Sequence, residues 1–339
     1  MAVDLRDLSV PVIGAPMAGG PSTPALAAAV SDAGGLGFLA AGYLTAEKLA
    51  DDIAAARALT GHPLGVNLFA PSPSIAVPSE IASYRAQLEP LAAHYGVEVG
   101  PARSDDDAWA AKLDVVSQLK PEAVSFTFAF PSADEVRRLR ELGISTVMTV
   151  TSADEARTAV GLGVDVVAVQ GPEAGGHRGT TTPDTVPPDQ PLDELLSAVL
   201  RVVDVPVIAA GGLATAQDVD RVLHGGARAA QVGTALLLTD EAGTNAAYRV
   251  ALQSEDFADT VVTRVFSGRY ARGLRNDFTR RFEDVSVFGY PEVHYMTSTI
   301  RRAAVAAGDP HGTNCWAGTG FKRITGGTAG DVVAALSTR

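Results

Sequence analysis

Short apolar runs broken by glycine recur along the chain, and between them lie segments whose apolar residues return every three or four positions. Runs starting near residues 10, 36, 64, 123, 145, 165, 205 and 228 are too short for helices and read as buried strands. The segments 24–33, 45–59, 109–120, 133–142, 152–161, 192–203 and 215–223 read as helices. Thr45 fits a helix N-cap, and Asp154 with Glu155 suits the positive end of the helix dipole. Eight strands separated by helices predict an α/β protein, a (β/α)8 barrel of the TIM type, in preference to a doubly wound open sheet.

Two stretches fall outside this rhythm. Residues 70–107 are rich in proline, with Pro71, Pro73, Pro78 and Pro90 among them, and carry a helix over 79–95. Ordinary α/β connections span only a few residues, so this stretch is an insertion, a lid or cover on the scaffold. Residues 241–312 are richer in charge and end in a helical segment over 293–307, which predicts a small additional subdomain at the barrel mouth. The expected organisation is therefore a barrel over 1–240, the subdomain over 241–312, and a return to the barrel over 313–339 with a terminal helix from Ala329.

A chain of 339 residues with 46% hydrophobic positions buries a large core. Its 39 acidic and 27 basic residues give a formal charge of −12, and the basic residues are scattered or paired. That pattern argues against nucleic acid, and it means that backbone N–H groups must hold any anionic ligand against the overall field. Cys315 is the single cysteine, so neither an internal disulfide nor a thiolate metal cage is available, which fits a reducing cytoplasm, and no metal site is expected. The N-terminus carries acids and lacks the apolar stretch of a secretion signal, and no run approaches membrane-spanning length. The expected protein is cytoplasmic, a monomer or homodimer.

The candidate chemistry sits where strands end in glycine. After the run at 165, Gly171-Pro172 breaks the strand and sets Glu173, Gly175, Gly176, His177 and Arg178 into a turn. The two glycines let backbone approach a flat or phosphorylated ligand, and His177 is the one side chain of the loop that exchanges a proton near neutral pH. Gly211-Gly212 and Gln231-Val232-Gly233-Thr234 follow the seventh and eighth strands, where barrels bind phosphate on main-chain amides. Met17 ends the first strand, just before the turn at 18–21, and joins these glycines as a cofactor-binding candidate. Asn67 and Gln170, at the ends of the third and sixth strands, offer amides that both donate and accept, which suits the edge of a flavin ring. Arg178 reads equally as an anion partner or as a solvated loop charge.

The motifs GAPMAGG (14–20), GVNLF (65–69), QGPEAGGHRG (170–179), AGG (210–212), QVGTA (231–235), FSGRYARGLRN (266–276) and WAGTG (316–320) resemble the nitronate monooxygenase family, formerly called 2-nitropropane dioxygenase. The resemblance covers nearly the whole chain. It implies noncovalent FMN held at Asn67, Gln170, Gly175, Gly212 and 231–234, with His177 as the active-site histidine. It also implies oxidation of alkyl nitronates such as propionate 3-nitronate by O2, through flavin semiquinone chemistry, to a carbonyl compound and nitrite. His177 would then either hold the anionic nitro group as imidazolium or, as neutral imidazole, take the α-proton of a nitroalkane. Tyr270 stands where proline is expected and Thr319 where glutamine is common, and both bear on substrate preference more than on flavin binding.

Two other barrel chemistries compete. A flavin-dependent enoyl-(acyl carrier protein) reductase has a similar EAGGH loop but needs NAD(P)H and a basic docking surface, which the acidic balance and long insertion disfavour. The IMP dehydrogenase group needs a cysteine near the sixth strand, and the chain's cysteine is at 315. A non-catalytic flavin-binding protein is the remaining alternative, and such a protein has little physical reason to carry His177 in that loop.

Overall fold

The computed structural model describes Leu5 and residues 8–337, so most of the acidic leader read as lacking a secretion signal lies outside the described residues. Six parallel strands come first: β1 (Val12–Gly14), β2 (Gly37–Ala40), β3 (Leu64–Phe69), β4 (Ala123–Thr127), β5 (Ser145–Val150) and β6 (Val166–Gln170). A two-residue strand, β7 (Gly176–His177), leaves the barrel, and β8 (Val207–Ala210) and β9 (Ala229–Val232) complete it. The eight barrel strands are ordered β1-β9-β8-β6-β5-β4-β3-β2, and a parallel bridge between Ile13 and Leu36 closes the ring. This is a (β/α)8 barrel.

The register follows from alternation along each strand. Val12, Leu39, Val66, Val124, Met148 and Val167 point outward and are buried under the helices. Ile13, Phe38, Val147, Ala168, Ile208 and Ala229 point inward and fill the lower barrel. The fourth strand is shorter than the run at 123–130 predicts: it stops at Thr127, because Phe128 turns the chain with a φ of +83°.

Helices α1 (Pro24–Asp32) and α2 (Ala46–Leu59) follow the first two strands, α1 capped by Thr23 and α2 by Thr45. Helix α3 (Pro78–His94) belongs to the Pro-rich insertion, and α4 (Trp109–Leu119), α5 (Ala133–Glu141), α6 (Ala153–Gly161), α7 (Leu192–Leu200) and α8 (Ala216–His224) continue the ring. The chain then leaves through α9 (Ala246–Gln253), β10 (Thr260–Thr263), β11 (Ala271–Leu274), α10 (Asp277–Phe282) and α11 (Glu292–Ala306). It returns as α12 (Ala329–Leu336), whose Val332, Val333 and Leu336 join the outer barrel core. The late segment is thus inserted between the last barrel strand and the last barrel helix.

The Pro-rich insertion and the late segment share one core. Ile81, Tyr84 and Leu88 of α3 pack with Phe266, Phe278, Phe282, Val293, Met296 and Ile300. Burying side chains of this size contributes roughly 1.5–3 kcal/mol each, enough to hold α11 over the barrel mouth. A second tie is the three-stranded sheet in which β11 lies between β10 and β7, pairing Ala271 with His177. No helix among the described residues is long and apolar enough to cross a membrane.

Candidate active site

The inward residues at the carboxyl ends of the strands cannot all be apolar, because above Phe38 and Val147 the barrel opens. Asn67, Thr127, Thr149, Gln170 and Gln231 stand there and line a cavity of about 610 Å³. Met17, Asn67, Gln170, Gly175, Gly176, His177, Gly211, Gly212, Gln231, Val232, Gly233 and Thr234 all face this one cavity.

One part of the wall is a row of main-chain donors. The N–H groups of Gly212, Gly233 and Thr234 have no protein acceptor among the described residues. The tail closes over them: Gly318 N donates to Thr234 Oγ1 at 3.0 Å, and Arg323 donates to the Gly212 carbonyl at 3.0 Å. Gly212 has a φ of +68°, and a β-carbon there would sit 2.9 Å from Glu173 Cβ and 3.0 Å from Thr319 Oγ1. Thr319 therefore packs beside Gly212, at this end of the cavity. Tyr270 lies outside the cavity, where its hydroxyl accepts from Arg264 at 2.9 Å.

The amides divide their work. Asn67 is buried, and its Oδ1 accepts from Ser125 Oγ at 2.8 Å and Thr127 Oγ1 at 3.0 Å, which leaves Nδ2 as a donor with no protein partner among the described residues. Gln170 spends its amide on the histidine loop: Nε2 donates to the His177 carbonyl at 2.9 Å, and Oε1 accepts from Gly179 N at 2.8 Å. Gly176 has a φ of +78° with open space where a side chain would project. The close approach at Gly175 is to the tail: a β-carbon there would lie 2.6 Å from Gly318 N.

His177 is packed by Phe128, Tyr290 and Trp316, with ring centroids 5.7, 5.8 and 5.3 Å away. Burial, then the positive charges of Arg269 and Arg301, push its pKa from the usual 6.5 down to about 3. The imidazole is therefore neutral in the protein. Its Nε2 lies 2.8 Å from Ser267 Oγ, and Ser267 also donates to the Arg269 carbonyl at 3.1 Å. With the serine proton so placed, Ser267 accepts from Nε2–H and Nδ1 is left as the basic nitrogen, a tautomer assigned from the hydrogen-bond network.

Arg178 takes neither of the two places the sequence offers. It is 2% exposed, donates to the Pro188 carbonyl at 3.2 Å, and is absent from the cavity wall. The loop turns it inward because its backbone N–H is held by the Tyr270 carbonyl at 2.8 Å. Tyr43, Ser267, His294, Arg301 and Trp316 also line the cavity, and none of them stands out from the sequence as a site residue. Their signal was available only in part: His294 and Arg301 are seven positions apart and share one face of α11.

A barrel whose strand ends gather a neutral, half-buried histidine and a row of free amide donors defines an enzyme with its reaction centre at the barrel mouth. The sequence profile of nitronate monooxygenase matches residues 4–338. A nitronate monooxygenase from Pseudomonas aeruginosa is 39% identical over 331 residues, covering 93% of this chain and 92% of that protein. A probable nitronate monooxygenase from Staphylococcus saprophyticus is 35% identical over 320 residues, covering 93% of this chain and 90% of that one. The crystal structure of a nitroalkane oxidase from Streptomyces ansochromogenes aligns with a TM-score of 0.94 at 43% identity, covering 97% of this chain and 95% of that one. The chain belongs to the nitronate monooxygenase family and is an oxidoreductase.

Proposed function

We propose that this chain is an FMN-dependent nitronate monooxygenase that oxidises alkyl nitronates, such as propionate 3-nitronate, with O2 to a carbonyl compound and nitrite. The observation that carries the reading is the pairing of a neutral His177 with unpartnered donors in one cavity. The fit to FMN rests on those donors. The free N–H groups of Gly212, Gly233 and Thr234 suit a phosphate that must be bound against a net charge of −12. The free Nδ2 of Asn67 suits a carbonyl on a ring edge. A bound flavin would supply the electron acceptor and the means of reducing dioxygen.

The chain's own residues then do the rest. With a neutral nitroalkane, His177 would serve as the base, Nδ1 taking the α-proton and leaving the nitronate in the site; a substrate that arrives as the nitronate needs no such step. Ser267 holds Nε2 and so keeps the ring in one orientation. Gln170 fixes the backbone on both sides of Arg178 and so holds the loop in place. Phe128, Tyr290 and Trp316 keep bulk water from the imidazole.

The test is on purified protein. Denaturation should release FMN and not FAD, and NADH should remain largely unconsumed. A colourless protein sinks the cofactor assignment, and rapid NADH oxidation coupled to enoyl thioester reduction transfers the case to the enoyl reductase reading.

A further inference from the structure

The cavity holds a second histidine with different partners. Arg301 Nη2 lies 3.3 Å from His294 Nδ1 and donates to the His294 carbonyl at 2.9 Å. A guanidinium has no lone pair to offer, so Nδ1 must be the acceptor and the ring proton must sit on Nε2. That Nε2–H has no protein acceptor among the described residues, and the ring lines the cavity. Its plane is fixed by stacking on Tyr43, with centroids 4.1 Å apart and an interplanar angle of 6°. Burial, then the charge of Arg301, hold the imidazole well below the usual histidine range.

Arg301 is itself short of a counter-charge. Its Nε donates to Thr297 Oγ1 at 3.0 Å and its Nη1 to Asn314 Oδ1 at 2.9 Å, both neutral acceptors. No carboxylate pairs with it among the described residues, although burial lowers its pKa only to about 10 and it stays charged. A half-buried cation without an anion favours a ligand that brings one.

Building on the nitronate reading, we propose that His294 is a second working histidine, a fixed Nε2–H donor that together with the Arg301 guanidinium takes an anionic oxygen of the substrate. The two histidines then hold opposite posts: Nδ1 of His177 receives a proton, and Nε2 of His294 only lends one in a hydrogen bond. Arg301 positions His294 and places positive charge where the planar anion settles. No bond is made or broken at His294 or Arg301.

Nitrate is a planar oxyanion of the same outline as a nitro group and serves as the probe, titrated calorimetrically into the purified holoenzyme. His294→Phe keeps a ring against Tyr43 but removes the donor, and nitrate binding should weaken roughly ten- to hundredfold, the usual worth of a hydrogen bond to a charged group. His294→Gln restores a donor and should recover most of the affinity, and Arg301→Lys should lie between the two. KM for ethyl nitronate should rise in the same order. Nitrate affinity unchanged in His294→Phe, or no nitrate binding to the wild type, overturns the proposal. Should His294→Phe not fold, histidine-selective 15N spectra of the wild type read the tautomer directly: a proton on Nε2 that shifts with nitrate supports the assignment, and a proton on Nδ1 refutes it. Wild-type protein that binds nitrate through His294 yet oxidises no nitronate would sink the functional reading while sparing this one.

Discussion

Gln170 and His177 are joined across their own loop: the amide Nε2 of Gln170, at the end of a barrel strand, donates to the His177 carbonyl at 2.9 Å. Its Oε1 accepts from Gly179 N at 2.8 Å, so one side chain clamps the backbone on both flanks of the turn. The barrel strand therefore shares with Ser267 and the pairing to Ala271 in setting where the imidazole stands.

Gln170→Ala removes both contacts. The expected loss is about 1–3 kcal/mol of stability, from two bonds of ordinary worth. Turnover should fall further than stability alone explains, since a loosened His177 loses its alignment. Thermal unfolding and kcat measured on the same preparation check this, and a variant with wild-type kcat would free the loop from its dependence on Gln170.

His177 carries a pH prediction whose sign follows from its shift. Its folded pKa lies below the unfolded value, at about 3 against 6.5, and His294 is shifted in the same direction. Between those values the unfolded chain binds more protons, so stability contributed by the neutral ring is full above about pH 6.5 and is lost as pH falls toward 3. His177→Asn should flatten part of that decline in denaturant titrations. With neutral nitroalkanes, kcat/KM should show no protonation of this base near pH 6.5. His177→Ala should lower that rate by about a hundredfold or more while leaving flavin content intact. Loss of flavin instead would make the residue's role structural.

Gly175→Ala tests the close approach of the loop to the tail. The added methyl would meet Gly318 N at 2.6 Å and Ala317 C at 2.7 Å, so the tail must shift or the loop must move. Overpacking of this kind costs about 1–3 kcal/mol. Because Gly318 in turn donates to Thr234, flavin retention should fall with it, measured as absorbance per protein after gel filtration. Full flavin retention would separate the tail from the cofactor end.

The barrel was legible because its strands are unbroken apolar runs ending in glycine, a local pattern that needs no partner to be read. His177 was legible on the same local grounds, since a histidine just after two glycines at a strand end belongs to no regular element. His294 and Arg301 were not, because they sit on α11 among Tyr295, Thr299 and Arg302, where they read as the polar face of an ordinary helix. They reach the cavity only because α3 and α11 share a core assembled from residues roughly two hundred positions apart. Arg178 misled in the opposite direction. A charge beside glycine reads as solvated or as an anion partner, and the pairing of β7 with β11 turns it inward. Thr319 was visible as a departure, but its place against Gly212 depends on the tail folding back over the barrel.

Whether this cavity oxidises nitronates with dioxygen is decided by an oxygen electrode, using purified, flavin-loaded protein and an alkyl nitronate without NADH. The expected result is oxygen uptake with nitrite released alongside, abolished when the nitronate is left out. Oxygen uptake that stays at the background rate with nitronate present and begins only on adding NADH would contradict it.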